Sequence, residues 1–494
     1  MAAGLRAARI EPASMTDQGS RGRARTAAVA LCALALVALP AAGGTRVRDL
    51  SGPTPFRKGC GVPGQQTRDA EGEPSVSVNP RDPRNIVVAW QQDRFAVDGG
   101  ALSNVLAVSK DGGSTWRRIL VPKLSRCTGG GDERTSDAWL SFGGDGTLYL
   151  ASLTFSETPT NEVIAGPTEL NVTTSRDGGI TWSTPVYVQP FDHTYNDREV
   201  VTADPTRPGR AYVVFVKRYG AFGESGIEMF SSTADHAKTW SLPTPIIIPP
   251  PGTLTDPALI EGLPDGTLLN VALLANLSPF LPDQVPRVPW VIVTSRSTDG
   301  GFTWSLPVVV ATISPAAPLD PDTGTVTRAY NLVSAAVGKN GMAYITWNEI
   351  DSLHGSTIFI ARSADQGKKW SAPSVVHREA AQAFIPMIAV DGSGAVGISF
   401  DDFRNDRPGD RQLTTDVWLD VSRDSGRTWR ETHLAGPFNM LTAAESDSSG
   451  VAGLFVGDYQ GIAALPGGFV NAFAQARPQS QFGPSDIFVA ITRP

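Results

Sequence analysis

The residues able to do chemistry in this 494-residue chain are carboxylates, arginines and tyrosines that recur at similar places beside short apolar runs. Ahead of such runs stand Glu73, Asp137, Asp197 with Arg198 and Glu199, Asp256, Arg328 with Tyr330, and Asp458 with Tyr459. Behind them come Asp93 and Arg94, Lys217 and Arg218, Glu349, Asp401, Asp402 and Arg404, and Arg477. Two carboxyl groups about 5 to 10 Å apart can hydrolyse a glycosidic bond, one as acid and the other as base or nucleophile. Arginine's planar fork matches a carboxylate in two hydrogen bonds, so the arginines suit an acidic ligand. Other chemistries find less support. The five histidines, His193, His236, His354, His377 and His433, show no metal-ligand spacing. Asp320-Pro321-Asp322-Thr323-Gly324 begins like a calcium loop and lacks the remaining ligands. No dinucleotide, phosphate-loop or nucleophile-elbow motif occurs, and no cofactor or metal is expected. A net charge of −7 gives no reason to expect nucleic-acid binding.

The elements that must carry these residues are strands. Seven hairpins of β-formers recur, beginning at Val76, Ala138, Val200, Ala258, Leu332, Met387 and Gly461. Each has a Gly, Asp or Pro turn between two apolar strands. With 50 Gly and 38 Pro, the chain has the turn residues that many short strands require. An octet follows most hairpins. It reads S-K-D-G-G-S-T-W at Ser109–Trp116, S-R-D-G-G-I-T-W at Ser175–Trp182, S-T-D-G-G-F-T-W at Ser297–Trp304 and S-R-D-S-G-R-T-W at Ser422–Trp429. Weaker copies centre on Asp235 with Trp240 and on Asp365 with Trp370. The tryptophans are spaced by 66, 58, 64, 66 and 59 residues, a period that marks a repeat architecture. Asp111, Asp177, Asp235, Asp299, Asp365 and Asp424 can hold tight turns by accepting backbone N–H groups. Glycine permits the backbone angles required, and each Trp offers a large flat surface to a seam between sheets.

These octets resemble the Asp-box, or BNR repeat, of sialidase-type β-propellers, over most of the chain after about residue 73. The resemblance implies an all-β β-propeller of four-stranded antiparallel blades with Asp-box turns; the seven hairpins make it a seven-bladed β-propeller, and a six-bladed sialidase-type propeller, the family's usual number, is the alternative. Six blades are complete in sequence. The seventh has its hairpin and a third strand at Asp486–Ala490, and the lead-in near Thr45 to Leu50 is expected to supply its fourth strand. In such a ring the first strands line the central channel, and the charged residues gather at its mouth. In the family three arginines grip a substrate carboxylate, an Asp is acid and base, and a Tyr nucleophile is activated by a Glu. The counterparts are Arg198, Arg328 and Arg404 for the grip, Tyr330 or Tyr459 for the nucleophile, Asp137 or Asp197 for the acid, and Glu199 or Glu349 for the assistant. Glu73, Asp256 and Asp458 complete the expected binding ring. The family's (F/Y)-R-I-P motif is absent, and the equivalent stretch reads Glu73-Pro74-Ser75-Val76. The pieces E-P-S-V-S-V-N-P, S-D-A-W-L, D-R-E-V-V, D-D-F-R-N-D and G-D-Y-Q-G resemble secreted bacterial proteins described as sialidase-like on their Asp-boxes. The expected function is a sialidase-like, exo-acting glycoside hydrolase with its site at the channel mouth. A non-catalytic propeller binding a glycan or protein is the alternative, and a structural extracellular module is a third reading.

Residues 1–44 read as a signal peptide and its n-region. Arg21, Arg23 and Arg25 precede the apolar run Ala27–Leu39, and small residues follow. A start at Met15 would give a more ordinary signal. Residues 45–72 read as an extended lead-in and 73–494 as one propeller domain. The mature chain is expected to be secreted, without a membrane span, and monomeric. Beyond the signal only Cys60 and Cys127 remain. In an oxidising compartment they most simply form one disulfide, with two unpaired buried thiols as the alternative.

Overall fold

A computed structural model describes residues 45–61, 67–96, 99–156, 168–189, 194–219, 225–249, 253–275, 290–314, 317–329, 333–351, 355–376, 382–448, 451–477 and 483–493. The expected signal peptide and Tyr330 lie outside these residues. Among the described residues regular structure is β apart from two single 3₁₀ turns, and no helix is long and apolar enough to cross a membrane.

Apart from one two-stranded hairpin, Glu445–Ser448 with Val451–Leu454, the strands form antiparallel four-stranded groups, two in each of two eight-stranded sheets and one in each of three four-stranded sheets. In the first group Glu71–Val78, Ile86–Arg94, Ala101–Ser109 and Arg117–Leu120 pair in chain order. The later groups open with Arg134–Phe142, Tyr195–Ala203, Leu254–Gly262, Ser334–Val337, Phe384–Val390 and Gly461–Leu465. In the last group the fourth strand comes from the other end of the chain: Arg46–Asp49 pairs antiparallel with Ser485–Thr492. Leu50 and Phe56 of the lead-in are buried in the same cluster as Phe473 and Phe488. Cys60 and Cys127 are joined by a disulfide.

Successive opening strands pack side by side, and the first, Glu71–Val78, packs against the last, Gly461–Leu465. All seven line a cavity of about 350 Å³, from Ser75 and Val76 round to Gly461 and Ala464. The octets make the turns between third and fourth strands. The Thr115 amide and hydroxyl donate to Asp111 at 2.8 and 2.6 Å, and the Gly113 amide donates to Ser109 Oγ at 2.9 Å. The same pair of Thr donations recurs at Asp177, Asp235, Asp299 and Asp424. At Asp365 a lysine replaces the threonine, and the Lys369 amide alone repeats its donation. The Thr115 hydroxyl and amide hold the Asp111 carboxyl down at about 2.

Each corner leans on the preceding group. At Gly301 (φ +96°) a Cβ would stand 2.2 Å from the Phe230 ring of the third group. Trp370 Nε1 donates to Thr294 Oγ1 of the fourth group at 3.1 Å. The first corner leans on the last group: at Gly113 (φ +84°) a Cβ would stand 2.1 Å from Ile491.

Candidate functional site

The opening strands begin several residues before the apolar runs. The Arg134–Phe142 strand starts ahead of Asp137, and the Tyr195–Ala203 strand starts ahead of Asp197. A bulge separates the two parts. Pairing slips by one residue between Gly72 and Ser75, Ser136 and Trp139, Asp197 and Val200, and Phe384 and Met387. At the same place in four groups, two residues oppose one: Glu73-Pro74, Asp137-Ala138, Arg198-Glu199 and Ile385-Pro386. The first residue of each pair has positive φ, 54° for Glu73, 47° for Asp137, 58° for Arg198 and 52° for Ile385. A side chain in that region costs about 1–3 kcal/mol, and such strain persists where the surroundings fix it. A bulge re-aims the side chain it carries. Here it turns three charged side chains toward one mouth.

Those side chains meet. Arg94 Nη1 lies 3.3 Å from Glu73, 3.3 Å separates Arg198 from Asp256, and 3.5 Å separates Arg328 from Asp458. Asp458 is shared, since Arg198 Nη2 also reaches it at 3.9 Å. The Asp458 amide donates to Glu73 Oε1 at 3.2 Å. Gln91 Nε2 donates to Glu73 and lies 3.4 Å from Asp137 Oδ1. Arg94 and Arg328 both face the Phe455 ring, at 4.0 and 4.8 Å from its centroid. Arg328 comes from a connecting segment, held where its amide donates to the Leu454 carbonyl at 2.9 Å. Beside this network Asp197 pairs with Arg218 at 3.0 Å.

A cavity of about 50 Å³ opens within the group, lined by Asp137, Trp139, Arg198, Glu199, Met387 and Tyr459. It shares Trp139, Val200, Leu259, Ser334 and Met387 with the larger channel below. The channel brings one further carboxyl, Glu261, which burial raises to about 8. The mouth is richer. Burial, then the charges of Glu73 and Asp197, push the Asp137 carboxyl well above its ordinary range. Burial, then the charge of Asp137, do the same to Glu199. Glu199 is 1% exposed, and neither carboxyl oxygen has a hydrogen-bond partner beyond its own backbone amide. Tyr459 Oη is also buried without a partner, and its ring meets Trp139 edge-on at 5.4 Å. Burial and the charges of Asp137, Glu73 and Glu199 raise its hydroxyl.

Of the residues singled out from sequence, the structure thus brings together Glu73, Asp137, Asp197, Arg198, Glu199, Asp256, Arg328, Asp458 and Tyr459. Arg404 does not join them. It bends back onto Asp402, pairs with Glu431 at 2.8 Å and stacks over Trp418 at 4.0 Å. Glu349 also faces elsewhere, accepting from the Ser314 amide and Trp347 Nε1. The Asp320 stretch is a local turn in which Asp322 and Thr323 donate to Asp320. Trp139 and Tyr195 were not among the candidates, and Arg94 was a candidate without a role in the grip. Arg94 occupies the place expected of Arg404. Tyr195 lies two positions from Asp197 in regular register, a spacing that puts strand residues on one face, whereas Trp139 follows the bulge at Asp137-Ala138, which interrupts that alternation.

No family model and no curated protein matches this chain. Among solved structures it is similar to a protein of unknown function from Dyadobacter fermentans, at 16% identity and TM-score 0.46, over 90% of this chain and 99% of that one. It is similar to the Hadza microbial sialidase Hz136 at 15% identity and TM-score 0.46, over 79% and 74% of the two chains. It is also similar to an α-L-arabinanase of Penicillium chrysogenum, complexed with arabinobiose, at 11% identity and TM-score 0.43, over 90% and 98%.

Proposed function

We propose that the chain is a seven-bladed β-propeller glycoside hydrolase acting at the mouth of its channel on a sugar that carries an acidic group. The ring is supported by the side-by-side packing of the opening strands from first to last and by Arg46–Asp49 supplying an edge to the last group. One observation carries the activity: three guanidinium groups, two carboxyls with raised pKa and an unpartnered tyrosine converge on one mouth. Arg94, Arg198 and Arg328 face the substrate's acidic group. Asp137 donates a proton to the leaving oxygen as the glycosidic C–O bond breaks. Tyr459 Oη forms the new bond to the anomeric carbon, and its proton passes to Glu199. Water then attacks the anomeric carbon as the glycosyl–tyrosine bond breaks; Asp137 takes the water's proton and Glu199 returns its proton to Tyr459 Oη. Burial raises both carboxyls and the charge of Asp137 raises Glu199 further, so the pair favours holding one proton rather than none. The reactive arrangement has that proton on Asp137. With residues 21–44 resembling a signal and one disulfide present, the protein works outside the cytoplasm, as a monomer.

A second reading, a non-catalytic propeller that binds a glycan or protein, is favoured by one observation. Arg94, Arg198 and Arg328 each already meet a carboxylate. A turnover assay separates the two. Wild type, Asp137→Asn and Tyr459→Phe are tested on sialosides and other aryl glycosides. The hydrolase reading expects turnover that falls at least about 100-fold in Asp137→Asn. No turnover on any substrate, with a glycan still retained, selects the binding reading.

A further inference from the structure

A second set of carboxylates lies where the lead-in, the first group and the last group meet. One oxygen from each of Asp69, Glu71 and Asp93 lies within 4.8 Å of the other two. That is the span one cation can bridge, because two ligands opposed across an ion at about 2.4 Å stand about 4.8 Å apart. Glu71 supplies a separate observation. It is 1% exposed, and Gln92 serves one of its oxygens. The other, Oε2, is buried with no hydrogen-bond partner. Neither Glu71 nor Asp93 has an ion-pair partner among the described residues; Arg68, at 3.6 Å from Asp69, is largely exposed. A buried carboxylate is stable when paired or bound to a metal.

We propose that Asp69, Glu71 and Asp93 bind a divalent cation of the hard, oxygen-preferring class to which calcium belongs. Three carboxylates with no sulfur or imidazole select that class over zinc or copper. The ion would fasten three segments at one point. The lead-in contributes Thr54, whose hydroxyl donates to Asp93 at 2.6 Å and whose amide donates to Asp69 at 2.5 Å. The last group contributes Ser485, whose hydroxyl donates to the Glu71 carbonyl at 2.7 Å and accepts from its amide at 3.0 Å. Bound there, a cation holds the two ends of the chain together and stabilises the fold without touching the mouth.

The test uses full-length secreted protein stripped with EDTA and titrated with calcium chloride by calorimetry. Terbium, excited through indole, gives an optical readout. Trp90 Nε1 donates to Gln92 Oε1 at 3.0 Å, and Gln92 contacts Glu71, so Trp90 is a near donor for sensitised emission. The expected result is one saturable site with Kd on the order of 10⁻⁴–10⁻³ M and a higher Tm with calcium. Glu71→Gln, and independently the less buried Asp69→Asn, should each weaken binding at least tenfold, while Glu199→Gln at the mouth binds as wild type does. Stripped Glu71→Gln should melt no lower than stripped wild type, since it removes an unpaired charge; a purely structural Glu71 would make it melt lower. Absence of binding at 10 mM calcium overturns the proposal. So does binding that survives Glu71→Gln and Asp69→Asn, or is lost in Glu199→Gln. None of these readouts depends on hydrolysis.

Discussion

Replacing Arg198 with methionine removes the charge at the centre of the mouth while keeping most of the side chain's length. Arg198 stands 3.3 Å from Asp256 and 3.9 Å from Asp458, with 13% of its side chain exposed. Breaking a buried ion pair from one side costs about 3–5 kcal/mol, because a charge is left without its partner. Asp458 keeps Arg328, and Arg218 still faces Asp256. That puts the expected loss near the low end, about 3 kcal/mol. Burial already raises the Asp256 carboxyl, and Arg198 is the first group holding it down. Without Arg198 it rises further. A carboxyl whose folded pKa exceeds its unfolded value, near 3.8, binds a proton more readily when folded. Its penalty is therefore full above the folded pKa and shrinks as pH falls toward the unfolded one. Urea unfolding followed by tryptophan fluorescence should show the full deficit near pH 7.5, a smaller one near pH 5, and recovery when Asp256→Asn is added. A deficit under about 1 kcal/mol, the range of an exposed pair, that does not change with pH would refute the reasoning.

Three further outcomes are expected. Cys60→Ser with Cys127→Ser should lower stability by up to about 4 kcal/mol, from the chain entropy of the 67-residue separation, read as a denaturant midpoint compared with oxidised wild type, while reduced wild type should match the variant. Asp111→Asn should be less stable than wild type at pH 7. The Asp111 carboxyl sits at about 2, below its ordinary 3.8, so its contribution is present above that ordinary value and fades as pH falls through the lower one. The two proteins should then converge near pH 2 in acid unfolding. Gly113→Ala must hold a side chain at φ +84° against Ile491, and should cost about 1–3 kcal/mol in the same unfolding assay. An unchanged midpoint would remove Gly113 from the seam between first and last groups.

The corner turns were legible because every contact they need lies within a few residues. Asp111 accepts from Thr115, and Ser109 accepts from Gly113, so the octet carries its own geometry. The mouth was legible in kind. Charged residues ahead of apolar runs do collect there, yet the apolar runs mark only the part of each strand beyond the bulge. Proline was the overlooked signal: Pro74 and Pro386 stand inside opening strands, where proline is tolerated at bulges. Arg94 and Arg404 could not be told apart by position. One ends its strand over Phe455, whereas the other sits within the turn after its strand and folds back onto Asp402. The carboxylates of Asp69, Glu71 and Asp93 carry no motif, because they meet through a turn and two paired strands rather than through one loop.

The most direct test of the mouth as an active centre is to trap the reaction. The protein is incubated with fluorinated, mechanism-based glycosides, among them a 2,3-difluorosialic acid, and its peptides are mapped by mass spectrometry. The account predicts one covalent sugar adduct, on Tyr459, absent from Tyr459→Phe and slowed in Asp137→Asn. An adduct on a residue away from the mouth, or full turnover by Tyr459→Phe, would contradict it.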